Sequence, residues 1–214
     1  MVRGRQAPIV AVFVLLVAGC DGTAVSPELT DVDPAFARGG ATVSQTVSLT
    51  GIGGPVDLSG SATLTRNAKG LWLEGNSPDL VDGHAYTVWA AIFDNPHGCD
   101  GPCDGTDLDN RSAQATISNF GGFVADASGD FEIHLDRHDA SRQTLGGVGR
   151  SGVDNPLRAE AHFIFRSHGE AEADPGDLAE QTSMVTAFCN LPPGTVCEDH
   201  GLAVFLPPGA PGQG

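Results

Sequence analysis

Between residues 42 and 206 the chain never holds apolar residues at helical spacing for three turns. Short runs rich in β-branched and aromatic residues recur instead, separated by Gly, Asn, Asp and Pro, and the 29 glycines and 14 prolines are enough to punctuate them throughout. A chain patterned this way reads as all-β. The spacing predicts strands over 42–50, 60–65, 70–74, 85–93, 113–118, 122–127, 130–136, 159–167, 183–188 and 201–206. It therefore predicts a two-sheet antiparallel sandwich of about 8–10 short strands with Greek-key-like connections. The single expected helix is short, over 174–181, with Pro175 near its first position, where a missing N–H costs nothing.

Alternation within a strand indicates which face is buried. In "EAHFIFRSHG", Ala161, Phe163 and Phe165 form an apolar face, while Glu160, His162, Ile164, Arg166 and His168 share the other. In "DFEIHLD", Phe131, Ile133 and Leu135 are expected inside and Glu132, His134 and Asp136 outside. "HAYTVWAAIF" is apolar almost throughout, which predicts a central strand covered on both faces with Trp89 in the core.

The N-terminus, "MVRGRQAPIVAVFVLLVAGC", sets Arg3 and Arg5 before an apolar run from Pro8 to Ala18, a signal-peptide layout. The run is shorter than the roughly 20 apolar residues a permanent membrane helix needs. Val17-Ala18-Gly19-Cys20 resembles the bacterial lipobox, which implies cleavage before Cys20 and a diacylglycerol on its thiol. On this reading residues 1–19 are a lipoprotein signal peptide, 20–40 a flexible tether, 41–206 one β-sandwich domain and 207–214 a loose tail. Cleavage removes Arg3 and Arg5 from the 11 basic residues and leaves the 27 acidic ones, so the mature charge is −18. So acidic a chain disfavours nucleic acid as a partner.

Export places the cysteines where disulfides persist. With Cys20 lipidated, Cys99, Cys103, Cys189 and Cys197 allow three pairings. Pairing Cys99 with Cys103 and Cys189 with Cys197 rearranges the chain least, and each bond would staple a loop rather than hold the whole fold.

The combination of "GHAYTVWAAIFDNPHGC…C", "AHFIFRSHGEA" and a C-terminal "C…HGLAVFLP" resembles a family of bacterial secreted and lipid-anchored proteins whose activity is not characterised. More loosely, "GSATLTRNAKGLWLEGNSPDLVDGHAYTVW" is similar to the opening hairpins of chordin-type β-sandwich domains. The chordin-type pattern implies an H-x-H pair soon after the strand that holds Tyr86, and this sequence has no H-x-H anywhere. That departure also weakens a resemblance to copper/zinc superoxide dismutases, whose copper site rests on such a pair.

Candidate chemistry concentrates in "IFDNPHGCDGPCDGTDLDN", from Ile92 to Asn110. Asp94, Asp100, Asp104, Asp107 and Asp109 could supply oxygens to calcium, which takes about 6–8 ligands. The spacing does not fit an EF-hand, since "DGTDLDNRSAQA" lacks Gly at its sixth position and Glu at its twelfth. The alternative is a disulfide-pinned turn with a solvated acidic rim. His162, Arg166 and His168 form the second candidate, a ligand or partner site at a strand end, against which stands an Arg166 paired with a carboxylate such as Glu160 or Asp94. His162 and His168 are six positions apart, about 20 Å along a strand, so they cannot share an ion. His134 and His138 straddle a strand end, with no third ligand in view. Neither G-x-S-x-G nor H-E-x-x-H occurs.

The expectation is a lipid-anchored sandwich at the bacterial cell envelope, facing periplasm or exterior, with a binding or structural role and no catalysis or cofactor. Its partners would be the membrane, through the lipid, and an envelope protein or glycan. The alternatives are a calcium-stabilised adhesion module and a metal-dependent enzyme built from His134, His162, His168 and loop carboxylates.

Overall fold

The computed structural model describes residues 41–54, 56–136, 153–183 and 197–210. Strands β1 (Val43–Ser48), β2 (Ser61–Asn67), β3 (Gly70–Asn76) and β6 (Asp130–Asp136) form one antiparallel sheet in the order β1-β2-β3-β6. Strands β4 (His84–Phe93), β5 (Ala115–Val124), β7 (Glu160–Glu170) and β8 (Glu198–Phe205) form a second, ordered β5-β4-β7-β8. The chain leaves the first sheet after β3, makes β4 and β5 in the second, and returns to place β6 beside β3. That Greek-key-like excursion closes the expected sandwich, and helix α1 (Pro175–Ser183) lies where the sequence predicts one.

The alternating patterns settle the core. Leu64, Leu71, Leu73, Phe131 and Ile133 from the first sheet meet Tyr86, Val88, Ala90 and Ile92 of β4, Phe163 and Phe165 of β7, and Phe205 of β8. The rings pack edge to face, with centroids 4.7 Å apart for Phe120 and Phe163 and 4.9 Å for Phe131 and Phe165. Each such buried side chain contributes about 1.5–3 kcal/mol of transfer free energy. Beyond β1 the chain crosses to the second sheet. Thr50 exchanges both main-chain bonds with Leu202, at 3.0 and 2.8 Å, and Leu58 N–H donates to the His200 carbonyl at 2.9 Å. These bonds cover the β8 edge, which would otherwise present unpaired groups.

Two expectations are corrected. The separate strands at 113–118 and 122–127 are one strand, β5, because the chain bulges between Asn119 and Gly121 where a turn was read. Val88 pairs with Gly121 and Trp89 with Asn119, so Phe120 is the extra residue. Gly121 has φ +150°, and a Cβ there would press on Ile133 Cγ2. Trp89 is the second correction. It lies half-buried on the outer face of the second sheet, because Tyr86, Val88, Ala90 and Ile92 take the inward positions. Both faces of β4 are nevertheless covered, with Thr87, Ala91 and Phe93 buried on the outer side. The strand expected over 183–188 has Ser183 at the end of α1, and 184–188 lies outside the described residues.

Candidate functional site

The acidic loop between β4 and β5 is seated on the outer face of the second sheet. Ala91, Phe93, Ala113, Ala115 and Cys103 form a small second core, against which Cys99 and Leu108 pack. The β-ladder runs on past the strand ends, with Asn95 N–H donating to the Ala113 carbonyl at 3.1 Å and Asn95 Nδ2 to Ser112 O at 2.8 Å. Gly98 lies so close to Ser112 that a Cβ would overlap its carbonyl. The loop holds two 3₁₀ turns, Pro96–Gly98 and Gly105–Asp109, and the Cys99–Cys103 disulfide joins them, with Cα atoms 5.4 Å apart.

The five aspartates of the calcium expectation do not converge. Asp104 caps the second 3₁₀ turn, accepting from Thr106 N–H and Thr106 Oγ1, both at 2.7 Å. The Thr106 hydroxyl and then its amide hold the Asp104 carboxyl below its ordinary range. Asp107 closes a reciprocal capping box, accepting from Asp104 N–H at 3.1 Å, and also accepts from Asn110 Nδ2 at 3.3 Å. Asp94 Oδ1 accepts from Asn155 N–H at 3.1 Å. Asp100 and Asp109 are exposed. The turn-forming chemistry of Asp explains this distribution, because its carboxylate reaches main-chain N–H groups two or three residues on. Among the described residues, the set that brings three ligand atoms within 4.8 Å of one another is Cys99, Cys103 and Asp107.

His162, Arg166 and His168 do share the outer face of β7, but each is closed by its own neighbours. His162 Nε2 lies 2.8 Å from Glu160 Oε1 and its ring meets Phe93 edge-on at 5.2 Å. Arg166 forms a fork with Asp199 of β8, Nε to Oδ1 at 2.6 Å and Nη2 to Oδ2 at 2.9 Å, and its guanidinium lies 5.5 Å from the Trp89 ring centroid. Its carboxylate is therefore Asp199, and the expected Glu160 or Asp94 is corrected. Register sets this choice, since β7 and β8 place Arg166 opposite Asp199. His168 is buried, with Nε2 2.7 Å from Thr87 Oγ1 and Nδ1 3.3 Å from Cys197 Sγ. Cys197 is itself disulfide-bonded. Cys20, His138 and Cys189 lie outside the described residues.

His134 belongs to the outer face of the first sheet, where it pairs with Glu132 at 2.9 Å and its ring lies tilted against Trp72 with centroids 4.3 Å apart. It thus lies on a different sheet from His162 and His168. The sequence reading gave Glu160 only as a possible partner of Arg166; it is buried and accepts from both His162 and the Cys103 N–H, the latter at 3.1 Å, so that it anchors the stapled loop to β7. The signal was present twice, as Glu-x-His in "EAH" and "EIH", because residues two apart on a strand share a face. The sequence reading missed Arg66. It is fully buried at one end of the sandwich, donating from Nη1 to Ala159 O at 2.7 Å and from Nη2 to Gln45 Oε1 at 3.1 Å and Leu206 O at 3.4 Å.

Fold and site together define an all-β two-sheet sandwich with a disulfide-stapled acidic loop seated on its outer face. A scan against protein-family models, a search of curated proteins and a search of solved structures found no match to the chain.

Proposed function

We propose that this chain is an exported, lipid-anchored β-sandwich with a binding or structural role at the bacterial cell envelope and no catalytic activity. The observation that carries the reading is the Cys99–Cys103 disulfide, a bond that persists in oxidising compartments, in a chain whose N-terminus resembles a lipoprotein signal. The wiring of the polar residues supports a role without catalysis. Asp104 and Asp107 serve turn amides, Arg166 serves Asp199, and Glu160 holds the loop. Partners in this reading are the membrane, through a lipid on Cys20, and an envelope protein or glycan.

Mass spectrometry of the N-terminal peptide from native membranes tests it. The expected species begins at Cys20 and carries a diacylglycerol on the thiol; an unmodified peptide running through Cys20 from upstream residues overturns the anchor. Because the loop carboxylates serve the fold, EDTA is expected to leave the melting temperature unchanged. A calcium module would instead melt lower on chelation.

A further inference from the structure

The geometry points to a redox-gated metal site: reduction of the Cys99–Cys103 disulfide turns the stapled loop into a site for a borderline-soft divalent cation of the zinc class, held by both thiolates and Asp107. Both sulfurs and one Asp107 oxygen already lie within 4.8 Å of one another. Bonds of about 2.3 Å to sulfur and about 2.1 Å to oxygen in a tetrahedron set the ligand atoms roughly 3.5–3.8 Å apart. Opening the disulfide lets the sulfurs separate toward that spacing, and the Cα separation of 5.4 Å accommodates it. The three-residue gap between the cysteines falls within the usual range of zinc-ligand pairs.

The surroundings hold the ligands independently of the disulfide. Asp104 N–H and Asn110 Nδ2 fix the Asp107 carboxylate, the outer partnering that orients metal ligands. Glu160 holds the Cys103 main chain, and Asn110 Nδ2 donates to the Gly98 carbonyl at 2.8 Å. Charge supplies the selectivity for the reduced form. Two thiolates beside a carboxylate repel one another, and a dication relieves that repulsion. Thiolate donors select zinc-class ions over calcium, which prefers oxygen. A dithiol reductant supplies two electrons and two protons and leaves as its own disulfide. Metal binding then releases the two thiol protons to solvent, and water takes the fourth position. In the oxidised form no thiolate exists and the site is closed.

The site forms only where a dithiol reductant reaches the loop, and an oxidising compartment keeps it closed. Its test is site-resolved alkylation of the full-length protein after reduction, with and without zinc ions, read peptide by peptide. Zinc is expected to slow alkylation of Cys99 and Cys103 by tenfold or more. Asp107→Asn should weaken the zinc concentration dependence of that protection by about tenfold or more. Equal alkylation rates with and without zinc overturn the site, and undiminished protection in Asp107→Asn removes Asp107 from it.

Discussion

Replacement of Arg66 tests whether a buried cation ties the two sheets together. At one end of the sandwich its guanidinium reaches from β2 to the main chain beside β7 at Ala159 and beyond β8 at Leu206. Burial pulls the guanidinium pKa down from 12.5 to about 10, so it stays charged at neutral pH. That lowering corresponds to a cost of about 3 kcal/mol for keeping the charge in the fold. Against it stand charge-assisted hydrogen bonds to three acceptors. The Ala159 bond is buried and the Gln45 and Leu206 bonds are partly buried; a hydrogen bond to a charged group contributes about 1.5–3 kcal/mol, so the three together outweigh the relief of burying no charge. Arg66→Met retains most of the packed volume and should destabilise by about 1–3 kcal/mol. Arg66→Ala adds a cavity and should lose about 3–5 kcal/mol. Urea denaturation at pH 7, with m unchanged between variants, measures both. An Arg66→Ala protein within 0.5 kcal/mol of the parent would refute the reasoning, since no strut then exists. A more stable Arg66→Met would show that desolvation outweighs the hydrogen bonds.

Three further outcomes are expected. His200 is buried, and desolvation, opposed by the nearby Glu198 and Asp199 carboxylates and reinforced by His84, lowers its pKa from 6.5. The unfolded chain therefore binds the proton more tightly, so stability should fall as pH drops through 6.5 and level off below the folded pKa, and His200→Gln should flatten that slope in melts between pH 7.5 and 5. Glu160→Ala strands the Cys103 amide and should cost about 1–3 kcal/mol, with faster hydrogen exchange at Cys103 as the local readout; unchanged exchange would remove Glu160 as the anchor. In Gly122→Ala the new methyl overlaps the Thr182 and Tyr86 carbonyls, so α1 should lift from the sheet and exchange in Leu178–Ser183 should rise by at least about tenfold.

The sequence by itself determined the sandwich, the inward positions of Phe131 and Ile133 on β6 and of Ala161, Phe163 and Phe165 on β7, and the place of α1; the side chain of Leu135 lies outside the described residues. A period of two or of 3.6 is a local property that burial enforces residue by residue. It also put Cys99 and Cys103 in reach of each other, since the three turn-forming residues between them leave little freedom. Tertiary structure alone decided the partners. The partner of Arg166 is 33 residues away and follows from β7–β8 register, and Arg66 finds an acceptor 140 residues away. Composition does not say whether "NFGG" bends into a turn or bulges within a strand; the closeness of Ile133 and Thr182 does. The acidic loop shows the same division. Its aspartates were visible, but whether they ring an ion or cap main-chain amides depends on where the seated loop points each carboxylate, and the structure turns Asp104 and Asp107 to their own turn.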